Sequence, residues 1–140
     1  MKAEELMIGD WVQYRDEFNE VTGPYEIDLI SNDEIGFKGE VFARVFNNSI
    51  EPIPLTPEIL EKNGFKYTND HTLKGADTYV LRLEQRGFDF SITIKLHDYF
   101  ALDSYDDRMY RLAEIQTGKW YVHNLQHAIR LCGIEHEITL

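Results

Sequence analysis

The chain has 140 residues and a formal net charge of −11, from 14 basic and 25 acidic side chains. This balance argues against a direct nucleic-acid ligand and against an anionic membrane surface, because both kinds of binding depend on clustered Lys and Arg. Residues 1–55 hold 12 acidic and 4 basic side chains, so most of the excess negative charge lies in the first part of the chain.

Cysteine content and hydropathy exclude further classes of protein. A single cysteine, Cys132, excludes an intrachain disulfide and a cysteine-based zinc site. The first residues lack the apolar core of a signal peptide, and no apolar run approaches the roughly 20 residues that span a bilayer. We therefore expect a cytoplasmic protein that does not enter a membrane. No nucleotide-binding motif is present, and no cofactor is expected.

Residues 1–55 have the pattern of short strands separated by turns. Turns are indicated at Gly9-Asp10 and at Thr22-Gly23-Pro24, and strands are predicted at residues 11–14, 25–29, 35–37, 41–46 and 50–55. In residues 25–29, apolar side chains alternate with acidic ones, which is the period of a half-buried strand. Four or five short strands in about 55 residues predict a small SH3-like β-barrel.

Residues 56–140 have the pattern of an α+β unit. Thr56 can cap a helix over residues 56–63, Pro57 suits its first position, and Gly64 can end it in a left-handed conformation. Strict alternation over residues 79–96, with a turn at residues 85–87, predicts a β-hairpin. A third strand is expected over residues 109–116, after an acidic loop at residues 98–107.

A C-terminal helix is predicted over residues 120–132, with Gly133 as its stop. Its apolar residues are spaced three and four apart, which places Cys132 on a buried seam as an inert thiol. The resulting fold class is α+β: a small SH3-like barrel, a helix, an antiparallel three-stranded sheet and a C-terminal helix. Residues 1–55 and 56–140 are expected to form two subdomains packed as one body.

Aromatic and acidic side chains of the first 55 residues are the best candidates for a binding surface. They are Trp11, Tyr14, Asp16, Glu17, Glu20, Tyr25 and Phe37. SH3-like barrels often bind peptides through aromatic grooves, whereas a barrel of this size also needs aromatic residues for its own core. Both interpretations stay open at this point.

Two histidines on the C-terminal helix form a weak metal-site candidate. His123 and His127 are four residues apart, so both side chains can reach one ion. At 100° per residue, however, they lie about 140° and about 180° from the centre of the apolar seam. We therefore expect both to face solvent and predict no physiological metal.

Three stretches of the chain carry a resemblance to known sequences. They are ELMIGDWV at residues 5–12, PIPLTPEILEKNGF at residues 52–65 and YVHNLQ at residues 121–126. In these stretches the chain resembles a group of small uncharacterised proteins of Bacteroidetes genomes, often encoded by prophages or other mobile elements. The resemblance implies a barrel-like start, a proline-led helix, then a sheet and a helix, and it implies no activity. His123 and Gln126 match the group's pattern, whereas His127 and Cys132 depart from it.

The leading functional hypothesis is a non-catalytic binding or accessory protein of a phage-like or mobile element. It would contact another protein through the acidic, aromatic barrel; a sharper version has the acidic face imitate nucleic acid. One alternative is an enzyme or small-ligand protein with a site between barrel and sheet, formed by His71, His97, Asp98 or residues 103–107. The other alternative is a structural homo-oligomer paired through strand edges.

Overall fold

A computed structural model describes residues 5–46, 49–68, 78–96, 99–104, 111–116 and 120–140. Its elements are β1 (Trp11–Arg15), β2 (Val21–Ile30), β3 (Glu34–Phe37), β4 (Glu40–Phe46), β5 (Ile50–Pro52), α1 (Pro57–Lys62), β6 (Lys66–Tyr67), β7 (Thr78–Gln85), β8 (Phe88–Lys95), β9 (Tyr99–Ser104), β10 (Arg111–Gln116) and α2 (Val122–Leu131). Within these described ranges, no helix is long and apolar enough to cross a membrane.

The chain divides into two compact units. The first contains Met1–Pro54 with Tyr121–Asn124 and Leu140, and the second contains Leu55–Trp120 with Leu125–Thr139. The start of α2 therefore belongs to the first unit and the rest of the helix to the second. The sequence pattern predicts one boundary, between residues 55 and 56. It does not predict that residues 121–124 belong to the first unit.

The first unit is built on one open antiparallel sheet with the strand order β4-β3-β2-β1-β5. Among the described residues the two outer strands, β4 and β5, pair only with their inner neighbours, so the sheet does not close. The predicted SH3-like barrel is therefore wrong. The count and spacing of short strands are the same for an open sheet and for a small barrel, because neither specifies whether the edges meet.

A bulge allows a proline into an inner strand of this sheet. Thr22-Gly23-Pro24, predicted as a break, lies inside β2, and the Gly23–Pro24 peptide is cis. Val12 pairs with Tyr25 and Tyr14 with Thr22, so two residues of β2 oppose Gln13 alone. The bulge removes the need for a ladder N–H at proline. A Cβ on Gly23 would lie 3.1 Å from Gln13 Cα, which explains the glycine.

One face of the first sheet forms the core of the first unit. The buried side chains of this cluster come from the strands and from the segment before β1: Leu6, Val12, Ile27, Ile35, Phe37 and Ile50. Three half-buried side chains, Tyr14, Tyr25 and Ile30, pack against them. The segment before β1 is held by its predicted turn, because Met7 N–H donates to the buried Asp10 carboxylate at 2.8 Å.

The second unit contains a five-stranded antiparallel sheet in the order β10-β9-β8-β7-β6, not the predicted three-stranded sheet. With ten strands and two short helices, the described part of the chain is mainly β, so the predicted α+β layout of helix, three-stranded sheet and helix is wrong. The hairpin of β7 and β8 is confirmed, with an unbroken register from the Thr78–Lys95 pair to the Gln85–Phe88 pair. Its two turn residues, Arg86 and Gly87, have φ of 54° and 79°, as in a type I′ turn.

The error in the second sheet lies mainly at β9, which occupies most of the predicted acidic loop. Phe100, Ala101 and Leu102 are buried between β8 and β10. A short apolar run without alternation is typical of a strand buried on both faces. Because acidic residues precede and follow this run, the sequence pattern indicates a polar loop instead of a strand. The two-residue strand β6, at the other edge, is too short to give a pattern.

Helix α1 begins and ends as its sequence predicts. Thr56 Oγ1 accepts from Ile59 N–H at 3.3 Å and caps α1, with Pro57 in the first helical position. Gly64, at φ 91°, ends α1: Phe65 N–H donates to Leu60 O and Gly64 N–H to Glu61 O. These two bonds form a Schellman motif, which requires a left-handed residue at the position of Gly64.

Two side-chain amides hold the segment that follows α2. Gln85 donates to Gly133 O and accepts from Glu135 N–H, both at 2.8 Å. Asn63 donates to Thr139 O and accepts from Thr139 N–H, again at 2.8 Å. Each amide therefore satisfies backbone groups as a neighbouring strand would. Residues 134–140 form neither a strand nor a helix, and their Ile134 and Ile138 are buried.

Candidate functional site

The β1–β2 turn, residues 15–21, carries the predicted acidic side chains and is held by one of them. Phe18 N–H and Glu20 N–H both donate to Asp16 Oδ1 at 2.9 Å. Backbone bonds close the same turn, from Asp16 N–H to Glu20 O and from Asn19 N–H to Asp16 O. Asp16 therefore organises the turn, whereas it was predicted only as a member of a charged surface.

Arg15 fastens this turn to β5. Its guanidinium contacts both carboxylate oxygens of Glu51, at 2.7 and 3.2 Å, and Nη1 donates to Asn19 O at 2.9 Å. The hydrogen bond to Glu51, followed by its negative charge, raises the pKa of Arg15. A planar guanidinium that binds a carboxylate with two nitrogens fixes orientation as well as position. The turn thus has one defined shape although it is exposed.

The most exposed large apolar side chain among those that the structure describes in the first unit lies in this turn. Phe18 is 78% exposed, and the neighbouring Val21 is 42% exposed. Sequence reasoning did not single out Phe18. Its signal was available, because a phenylalanine between a turn-forming Asp and Asn has no strand or helix period to bury it.

The predicted aromatic residues separate onto the two faces of the first sheet. Tyr14 and Tyr25 stack on the buried Phe37, with ring centroids 5.8 and 4.9 Å from it. Trp11 precedes the buried Val12 in β1 and lies on the opposite face, across from Glu26. The four residues therefore form no common groove, and the three stacked rings have a packing role that accounts for their presence.

Ion pairs neutralise some carboxylates of the first sheet but not those of the turn. Glu51 is paired with Arg15, and Glu26 lies 3.6 Å from Lys38 Nζ. Glu17 and Glu20 are exposed, and the described part of the chain provides no ion pair for either. Glu17 and Glu20 therefore present negative charge to solvent without an ion pair among the described residues, as the exposed Asp28 and Asp33 of the same region also do.

The two histidines of α2 do not share an environment. His123 is 5% exposed and stacks on Tyr121 with ring centroids 6.0 Å apart, whereas His127 is half-buried. The prediction that both face solvent is wrong for His123. Gln126 and Ala128 are also buried, so α2 is enclosed over a wider arc than its apolar seam indicates. A histidine next to the apolar seam of α2, such as His123, is therefore buried too.

The structure describes few residues of the enzyme alternative. His71, His97, Asp98 and residues 105–107 lie outside the described residues, and Asp103 is in β9 opposite Ser91. Over the described ranges, no three His, Cys, Asp or Glu side chains are grouped closely enough to hold a metal ion. An open cavity of about 300 Å³ lies on the β7–β8 hairpin, lined by Arg82, Leu83, Glu84, Asp89 and Phe90.

Comparisons with known proteins assign the chain to no family. No family profile matches the chain, and neither a curated protein nor a solved structure matches it. The resemblance to small Bacteroidetes proteins therefore stays a prediction that rests on the three stretches quoted above.

Proposed function

We propose that the chain is a non-catalytic binding protein that contacts another protein through the acidic β1–β2 turn of its first unit. One observation carries the proposal: Glu17 and Glu20 are exposed on a turn that Asp16 and Arg15 hold in a fixed shape. Holding a surface turn in one conformation costs conformational entropy. Charged side chains that only keep a protein soluble do not need such a fixed conformation.

Uncompensated charge on an ordered surface favours association with a basic partner. Long-range attraction raises the rate of encounter, and a fixed arrangement of carboxylates selects a complementary arrangement of Lys and Arg. Neutralised pairs such as Arg15–Glu51 contribute little to this attraction. The turn, with two unpaired carboxylates on a fixed backbone, is therefore a better contact surface than the paired carboxylates Glu26 and Glu51.

The wider role that we propose is that of an accessory protein of a phage-like or mobile element. This part of the proposal is supported by the resemblance in residues 5–12, 52–65 and 121–126 alone. A small protein that acts by binding a protein of the host or of the mobile element needs no catalytic group. A binding surface at the β1–β2 turn is sufficient for such a role.

Affinity purification with matched charge reversals tests the proposal. The chain is used as bait in cytoplasmic extract of its organism of origin, from about 0.05 to about 0.5 M salt, over which electrostatic screening increases severalfold. The test variant carries Glu17→Lys and Glu20→Lys. The control carries Glu84→Lys and Asp89→Lys, an equal change in charge at two exposed, directly opposed positions of the β7–β8 hairpin.

We expect a partner that the wild type and the control recover at low salt and that the turn variant loses. Recovery that declines as salt rises is part of the same expectation, because the attraction is between exposed charges. Recovery of no protein at any salt concentration contradicts the proposal. Equal recovery by both double variants contradicts it as well, since the turn would then not be the contact.

A further inference from the structure

We infer that Phe18 is the anchor of this contact and inserts into an apolar pocket of the partner that is bordered by Lys or Arg. The inference rests on the proposed function and adds the chemistry of the partner's surface. Phe18 is 78% exposed, more than any other large apolar side chain of the first unit that the structure describes.

The side chain of Phe18 has no role in forming the turn, to which the residue contributes only its backbone N–H. The turn is closed by the Asp16 carboxylate and by Asn19, which adopts a left-handed conformation at φ 63°. Both residue types are suited to these positions, whereas the position of Phe18 places no demand on its side chain. A polar residue would serve the fold equally well and would avoid exposing a phenyl ring to water.

A second exposed phenylalanine provides a contrast. Phe88 is 66% exposed, but its ring lies 6.4 Å from that of Phe90, so it contacts a neighbour on the same hairpin face. Among the described residues, no ring contact of this kind involves Phe18. Val21, three residues further along the chain, is 42% exposed. Phe88 is therefore the matched position for a control variant.

The surroundings of Phe18 have the composition of an interface anchor. In protein interfaces, a few side chains held in place before binding supply most of the affinity, and they lie inside a rim of polar groups. Here the side chain is aromatic, the backbone is held by hydrogen bonds to Asp16, and the rim is formed by Glu17 and Glu20. Burial of the ring then contributes without a large cost of ordering.

Charge complementarity selects the occupant. A pocket that receives Phe18 brings its rim close to Glu17 and Glu20, so a rim of Lys or Arg is attracted and an acidic rim is repelled. A second copy of this chain, bound through the same turn, would bring acidic side chains against acidic side chains. Nucleic acid and an anionic lipid surface would be repelled for the same reason. The occupant that fits is a folded protein with a basic-rimmed apolar pocket.

Photo-crosslinking from the anchor position tests the inference. The probe is the full chain with p-benzoylphenylalanine in place of Phe18, used in the extract described above, and a second chain carries the same residue in place of Phe88. We expect position 18 to crosslink to the partner at a pocket flanked by Lys or Arg, and position 88 not to crosslink to it. In a binding assay with that partner, Phe18→Ser should weaken affinity at least about 30-fold, the loss typical of an interface hot spot, and Phe88→Ser less than about twofold.

The outcomes separate the anchor from the proposed function. A partner that depends on Glu17 and Glu20 but neither crosslinks from position 18 nor distinguishes Phe18→Ser from wild type overturns the inference and leaves the acidic contact standing. A crosslink to a site without nearby Lys or Arg overturns the chemistry assigned to the pocket. Absence of any partner overturns both proposals.

Discussion

Asp16 should affect the shape of the β1–β2 turn, whereas Glu17 should affect only its charge. Asp16→Ala removes the acceptor of two backbone N–H groups, those of Phe18 and Glu20, each bonded at 2.9 Å. Asp16→Asn keeps an oxygen at the same place and removes the charge alone. Glu17→Ala removes a neighbouring charge that accepts no hydrogen bond shown within the described residues.

The magnitude follows from the two hydrogen bonds. Each contributes about 0.5–1.5 kcal/mol, and exposure lets water replace part of this, so the turn should lose about 1–2 kcal/mol of local stability in Asp16→Ala. A loss of that size corresponds to roughly a 5- to 30-fold increase in the population of the open turn.

Amide hydrogen exchange measures the effect where it occurs. Exchange at the Phe18 and Glu20 amides should accelerate roughly 5- to 30-fold in Asp16→Ala and by less than about threefold in Asp16→Asn. Glu17→Ala should leave both amides as in the wild type. If Asp16→Ala and Glu17→Ala accelerate exchange equally, the carboxylate does not hold the turn, and the preorganisation inferred for Phe18 fails with it.

Three further predictions concern the second unit. Asn63→Ala removes bonds to Ile59 O and to both backbone groups of Thr139, and should lower unfolding free energy by about 2–3 kcal/mol in a denaturant titration; a loss below about 0.5 kcal/mol would contradict the amide's role. Arg86→Asn places a residue favoured in type I′ turns at φ 54° and should raise the melting temperature by a few degrees, whereas a decrease would refute the turn assignment. Burial raises the pKa of the Cys132 thiol, so less thiolate is present at neutral pH; its labelling rate should reach half-maximum at a higher pH than in the urea-unfolded chain, and an equal or lower midpoint would be contrary.

Sequence patterns predicted the elements whose chemistry is local. The Thr56 cap, the Gly64 stop and the β7–β8 hairpin depend on residues close together in the chain, and all three are present. Closure of the first sheet was predicted wrongly because it depends on whether β4 and β5 meet, which no local pattern encodes. Helix α2 was predicted with too narrow a buried face, since the seam of apolar residues does not reveal that His123 is covered as well.

The candidate site was predictable in charge but not in geometry. Counting acids in residues 1–55 identified the region, and Asp16, Glu17 and Glu20 lie in one turn. Their different roles depend on hydrogen bonds that charge counting cannot separate. Tyr14, Tyr25 and Phe37 pack with the core, while Phe18, which was overlooked, is the exposed ring.

The association rate with the recovered partner tests the central claim most directly. Surface plasmon resonance compares the wild type with Glu17→Lys/Glu20→Lys and with the equally charged Glu84→Lys/Asp89→Lys. If the turn is the contact surface, the association rate constant should fall about tenfold or more for the turn variant at low salt and stay within about twofold for the hairpin variant. Equal slowing by both variants would contradict the claim, because net charge and not the β1–β2 turn would then govern recognition.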